Sequence, residues 1–193
     1  MKHSSPTRDR ILDTAQDLVQ RIGANAMSYQ HISKAVGIRK ASIHHHFPKK
    51  EDLLEATVQR YSGRFFSWLD GIASAQVAAP VKLQRYIALF EATLREGKHD
   101  RACPIGMLGA ELASLGAASA AQVRRFQKKN EAFLNEVLKQ GLKTGHFKFS
   151  GDQGATAALI FALVEGEVLI ARGAAGVKDF SRVTDQMLRL LQR

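Results

Sequence analysis

The sequence predicts an all-α chain in which a small three-helix module leads into a larger helical domain. Three observations carry this. Apolar residues recur at spacings of three and four rather than two. All four prolines (Pro6, Pro48, Pro80, Pro104) stand where helices begin or end. The one short alternation, His146-Phe147-Lys148-Phe149, is confined between Gly145 and Gly151 and reads as a connector. With 193 residues, 45% of them hydrophobic, the chain has enough apolar material for a real core, which excludes disorder along its whole length.

Taken in order, Ile11, Ala15, Leu18 and Ile22 form one apolar stripe, closed by Gly23. Ser28 is suited to cap a short helix through Val36 whose Ile32, Ala35 and Val36 face inward, and Gly37 stops it. A third helix starts near Arg39 and ends before Pro48, with Ile43 and Phe47 as its inward pair. Two short helices joined by a tight turn containing Gly form a helix-turn-helix. Longer helices are expected over 50–71, 80–96, 104–115, 119–142, 152–172 and 179–191. The natural division is a module of residues 1–50 and a domain of residues 51–193, with no repeat, low-complexity tract or flexible linker.

Charge sits mainly in the first part. Of a net +10, residues 1–50 hold nine basic and three acidic side chains, together with five of the seven histidines (His3, His31, His44, His45, His46). That concentration is the electrostatic footprint of a nucleic-acid-binding module. On a helical wheel with Ile43 and Phe47 inward, Ala41, Ser42, His44 and His45 face outward. Ser42, His44 and His45 can hydrogen-bond base edges or phosphates, and the Ala41 methyl can meet a thymine methyl. Arg39 and Lys40 begin the helix, where charge and dipole both favour phosphate, and Lys49 and Lys50 extend the surface. Adjacent His44, His45 and His46 stand 100° apart on a helix and cannot converge on one ion, so no metal and no cofactor is expected.

Other classes are disfavoured. Cys103 has no intramolecular partner, which excludes a disulfide scaffold and suits a reducing cytoplasm. The N-terminus lacks an apolar run of signal-peptide length, and the most apolar stretch, 155–171, is interrupted by Glu165, Gly166 and Glu167, so no membrane span is expected. An enzyme built on Cys103 with His99 or His146 as base lacks a third orienting residue, a phosphate-binding loop and metal-ligand spacing. A basic architectural protein without sequence preference stays open, separable by comparing specific with nonspecific DNA.

The run SYQHISKAVGIRKASIHHHFPKKEDL, residues 28–53, resembles the DNA-binding domain of TetR-family transcriptional repressors. In that family a Ser or Thr caps the second helix, Gly makes the turn, and a small-x-hydrophobic-Tyr-x-His/Tyr-Phe run is followed by Lys and Leu. Here these are Ser28, Gly37, Ala41 to Phe47, Lys50 and Leu53. The resemblance is strong over about residues 7–60; beyond them it rests on helix layout and on GHFKFSGD, residues 145–152, before an Ala-rich helix. His44 stands where the family usually has a phosphate-contacting Tyr, and His31 where it often has an acid. Histidine in place of that Tyr also occurs in a subgroup that includes electrophile-responsive repressors.

The resemblance implies a homodimer whose subunits each carry a three-helix DNA-binding domain and a C-terminal helical domain for ligand binding and dimerisation. A small-molecule effector would release a roughly palindromic operator. The expected DNA contacts are Ser28, Arg39, Lys40, Ala41, Ser42, His44, His45 and Lys50. Ala155, Ala158, Ala162 and Gly166 form a small-residue ridge, and Phe180, Val183, Met187 and Leu190 an apolar stripe; the two are expected to pair as a four-helix interface. Pocket candidates are Phe65, Trp68 and Leu69, then Tyr86 and Phe90, then Met107, Leu108 and Glu111, with Phe126, Phe133, Phe161 and Glu165. Glu111 and Glu165, carboxylates on otherwise apolar faces, each need a basic side chain or a cationic or hydrogen-bonding ligand. Cys103 is expected at a helix N-cap before Pro104, partly exposed and with Lys98, His99 and Arg101 near in sequence, which suits an electrophile sensor. The segment CPIGMLGAELA, residues 103–113, is similar to the one in which some TetR-family sensors carry a reactive cysteine.

Overall fold

The computed structural model describes residues 6–96, 100–173 and 176–192. Within them the chain is helical throughout: α1 (Pro6–Ala26), α2 (Tyr29–Val36), α3 (Lys40–His46), α4 (Lys50–Ser74), α5 (Ala79–Glu96), α6 (Pro104–Ala110), α7 (Ala117–Lys143), α8 (Gln153–Ala171) and α9 (Val177–Leu191). A single 3-10 turn, Leu112–Ser114, follows α6, so the helix expected over 104–115 is split in two. No strand occurs among the described residues. The chain divides into two compact units, residues 1–63 with 104–124, and residues 64–103 with 125–193. The boundary expected at residue 50 is the start of α4, whereas the first unit keeps that helix to Gly63 and adds α6.

In the first unit α1 buries Ile11, Leu12, Ala15 and Val19. This corrects the expected stripe, because Ile22 is 43% exposed and Val19, four residues beyond Ala15, takes the inward place. α2 buries Ile32 and Val36, spaced i, i+4; Ala35, expected inward, is exposed. Gly37 adopts φ 73° and ψ 37°, a left-handed cap open to Gly at no steric cost, and the Gly37 and Ile38 N–H groups both return to the Ser33 carbonyl. The Ser33 hydroxyl donates to Ile38 O at 2.6 Å, and the Arg10 guanidinium donates to Val36 O, also at 2.6 Å. The turn is thus held by side chains from α2 and from α1. On α4, Arg60 donates to the Asp13 carboxylate of α1 at 2.7 Å.

In the second unit α5, α8 and α9 pack on one another. The core takes Leu83, Tyr86, Ile87 and Phe90 from α5, Val164 and Val168 from α8, and Phe180 from α9. Asp152 caps α8 by accepting from Ala155 N at 2.7 Å. The connector before it does not pair as a strand; Phe147 is buried and Lys148 N donates to Leu191 O. Among the described residues α8 is the one helix long and apolar enough to cross a membrane by length and composition.

Candidate functional site

α3 presents Lys40, Ala41, Ser42, His44 and His45 to solvent, with exposed Arg39 just ahead of it, while Ile43 and Phe47 are buried. Two aromatic residues fix its end. The Tyr29 hydroxyl donates to Phe47 O at 2.7 Å, and its ring meets His44 edge-on at 4.8 Å between centroids. Burial, with the charge of Asp52 as the smaller cause, pushes the Tyr29 hydroxyl up to about 12, so it stays a donor. His44 Nδ1 lies 3.2 Å from Pro48 O. A carbonyl only accepts, so Nδ1 carries the hydrogen and Nε2 is left for an outside partner. The Arg8 guanidinium covers the Phe47 ring at 5.1 Å.

Two of the expected DNA contacts have other engagements. Ser28 is half-buried and caps α2 by accepting from His31 N at 3.3 Å. Lys50 is half-buried and its ammonium reaches Asn25 O at 3.4 Å. Sequence reasoning missed Tyr29, Arg8 and Arg10, which brace the helix-turn-helix from outside its apolar periodicity. A Tyr opening α2, 18 residues before Phe47, was the available signal.

Within the second unit, five aromatic side chains meet. Phe65 contacts Phe90 at 5.4 Å and Phe126 at 4.8 Å, and Tyr86 contacts Phe90 at 5.2 Å and Phe133 at 5.5 Å. The Tyr86 hydroxyl donates to Asn130 Oδ1 at 3.0 Å, and Asn130 Nδ2 donates to Phe126 O at 2.9 Å. Both Glu165 oxygens are sealed from solvent and accept no hydrogen bond of good geometry. Burial raises that carboxyl to about 7, with the nearby Cys103 thiol pulling in the opposite direction. Burial, then the charges of Glu165 and Cys103, hold Tyr86 well above the usual phenol range.

Phe65, Tyr86, Phe90, Phe126, Cys103 and Glu165 therefore come together with Phe133, and other expected pocket residues do not. Trp68 is 53% exposed, because its turn of α4 directs Phe65 and Leu69 inward instead. Phe161 is half-buried on α8. Met107, Leu108 and Glu111 belong to the first unit. There Glu111 finds the partner its burial required in the backbone: it accepts from Ala24 N at 2.7 Å and Asn25 N at 3.2 Å, donors freed where Gly23 (φ 80°) breaks α1. Cys103 is a further correction, since it is 1% exposed rather than partly open, and α6 beyond it has only seven residues. Lys98 and His99 lie outside the described residues.

Cavities lie in the second unit among the described residues. One, of about 260 Å3, is lined by Leu69, Lys82, Phe133 and Val137, with Asp70 and Glu136. Lys82 is buried, its ammonium donating to Ala73 O at 2.7 Å and Gln140 Oε1 at 3.2 Å, a role nothing in the sequence signalled. The second, of about 280 Å3, is an apolar groove between α8 and α9 lined by Leu159, Leu163, Val183, Met187 and Leu190. Of the expected interface, Ala155, Ala162 and Leu190 are exposed, Ala158, Gly166 and Val183 half-buried, and Met187 buried. Phe180 instead joins the core. Leu159 and Ile170, not singled out from sequence, are 65% and 66% exposed. No group of three or more His, Cys, Asp or Glu able to hold a metal occurs among the described residues.

Comparison with known proteins matches residues 11–57 to the family described as bacterial regulatory proteins, tetR family, and residues 79–187 to the tetracyclin repressor-like C-terminal domain. A TetR-family transcriptional regulator from Agrobacterium tumefaciens superposes with a TM-score of 0.90 at 30% identity, covering 97% of this chain and 98% of that one. The uncharacterized HTH-type transcriptional regulator YxaF of Bacillus subtilis is 24% identical over 89% of this chain and 87% of its own. IcaR, the negative regulator of the biofilm operon icaADBC in Staphylococcus epidermidis, is 32% identical over 32% of this chain and 34% of its own.

Proposed function

The chain belongs to the TetR family of bacterial transcriptional regulators, and from that premise we propose that it is a homodimeric repressor released from a palindromic operator by a small molecule. It is a regulator and not an enzyme. The observation that carries the reading is the outward face of α3, where Lys40, Ala41, Ser42, His44 and His45 form a polar and cationic ridge on buried Ile43 and Phe47. Lys40 and Arg39 would neutralise phosphates, and Ser42, His44 and His45 would read bases in the major groove. IcaR is named a negative regulator, which favours repression.

The exposed apolar face of α8, with Leu159 and Ile170, together with the α8–α9 groove, is best covered by a second copy of the same face. Two-fold pairing would set two α3 helices against two half-sites, hence the palindrome. Lipid is the alternative cover for so apolar a helix, and a cytoplasmic DNA-binding dimer accounts for both features at once. The burial of Cys103 favours an effector held noncovalently in the aromatic cluster over one that attacks the thiol from solvent.

Fluorescence anisotropy with the DNA upstream of the protein's own gene and with scrambled DNA tests this. A preference of about a thousandfold or more is expected, lost on Lys40→Ala with His44→Ala. Equal binding of selected and random duplexes would turn the reading towards nonspecific packaging of DNA.

A further inference from the structure

A carboxylate that a fold buries requires a counter-charge or a set of donors, and Glu165 has neither. Its oxygens are sealed and without a well-formed hydrogen bond. The polar groups acting with it are the Cys103 thiol, a weak donor, and the Tyr86 phenol, whose hydrogen already goes to Asn130. Tyr86 in turn belongs to an aromatic cluster: it meets Phe90 and Phe133, and Phe90 meets Phe65. Aromatic faces carry negative potential, so the rings add to the field of the carboxylate rather than offset it. An anion is repelled by such a site, and a neutral hydrogen-bonding molecule would satisfy the oxygens without offsetting the charge. A cation with an apolar skin satisfies both the charge and the rings.

A cavity also shares a residue with the cluster. Phe133 stacks on Tyr86 and lines the 260 Å3 cavity, so the same ring belongs to the cavity wall and to the cluster. The two ammonium groups on the cavity wall are engaged, Lys82 by Ala73 O and Gln140, and Lys129 over the Phe66 ring at 4.2 Å. Asp70 and Glu136 stand on the same wall and balance the charge of the two lysines.

We infer that the effector is a small organic cation of the alkylammonium or arylammonium kind, its charged centre at Glu165 and its apolar body among Tyr86, Phe90 and Phe133. This rests on the reading of the chain as an effector-released repressor.

Titration calorimetry of the full chain without DNA tests the inference, using benzyltrimethylammonium and choline, with dimethylbutanol as the uncharged isostere of choline. The cations should bind at least about tenfold tighter than the isostere, and Glu165→Gln should abolish that discrimination. Because the ionised carboxylate is the binding form, cation affinity should climb about tenfold per pH unit up to about 7 and then level, while the isostere shows no such slope. Equal binding of choline and its isostere, undiminished discrimination in Glu165→Gln, or no heat from either cation at millimolar concentration overturns the inference. If Glu165→Gln does not fold, the comparison of choline with its isostere on the wild type decides alone. The anisotropy assay of operator binding, run separately, reports on the repressor reading, so the two can fail independently.

Discussion

The phenol of Tyr29 donates to the carbonyl of Phe47 at the point where α3 gives way to Pro48, and its ring edge holds His44. Tyr29→Phe removes only the hydroxyl and leaves that carbonyl short of a donor, a loss of about 1 kcal/mol by chemical denaturation, together with weaker operator binding. Glu165 supplies a prediction of the opposite sign. Its carboxyl is raised from 4.5 to about 7, so the folded state holds the proton more tightly than the unfolded one. Stability from this group is complete below about 4.5 and is lost as pH climbs to about 7, a difference on the order of 3 kcal/mol. Glu165→Gln, neutral at every pH, should therefore be more stable than wild type at pH 8 and match it near pH 4. Urea melts at both pH values check this, and a wild type that gains stability between them from this residue would refute it.

Among the elements, α1 and α2 depend on their ends. Ser28→Ala removes the hydroxyl that accepts from His31 N and should cost about 1 kcal/mol, read as a lower urea midpoint at unchanged slope. Gly23 is constrained twice, since φ 80° disfavours any L side chain and a Cβ there would press on the Glu111 carboxylate that caps Ala24 and Asn25. Gly23→Ala should destabilise more than Ser28→Ala, whereas the same change at solvent-facing Gly63 should not. For α3, the exposed ammonium of Lys40 predicts a salt signature: in the proposed dimer Lys40→Ala should flatten the slope of log affinity against log salt by about 1.8, about 0.9 for each subunit. An unchanged slope would mean that Lys40 touches no phosphate.

For the whole molecule, apolar side chains are exposed together on α8 (Leu159, Leu169, Ile170) and at the end of α9 (Leu190). Leu159→Glu with Leu190→Glu places two charges where a second copy is proposed to sit, at side chains 65% and 54% exposed in the monomer. The monomer should stay folded, because those side chains contribute little to its own core. Sedimentation should shift from dimer to monomer, and operator affinity should fall on the order of a hundredfold as the two half-sites lose their linkage. Retention of a dimer would move the interface elsewhere.

Helix order, the turn at Gly37 and family membership were legible in the amino-acid sequence, because apolar spacing, caps and breakers act within a few residues of themselves. The outward set on α3 followed from the same arithmetic, since seven residues on one wheel leave little choice once Ile43 and Phe47 are buried. What lay beyond that reach was decided by neighbours distant along the chain. Glu111 and Glu165 look alike as carboxylates on apolar helices, yet one is satisfied by backbone donors more than 80 residues away and the other is sealed from solvent beside a thiol. Trp68 and Cys103 exchange their expected roles for the same reason, the aromatic turning out to solvent and the thiol being sealed in. Spacing within a helix says which residues share a face, but burial is set by what another element brings against that face, and only the tertiary structure decides it.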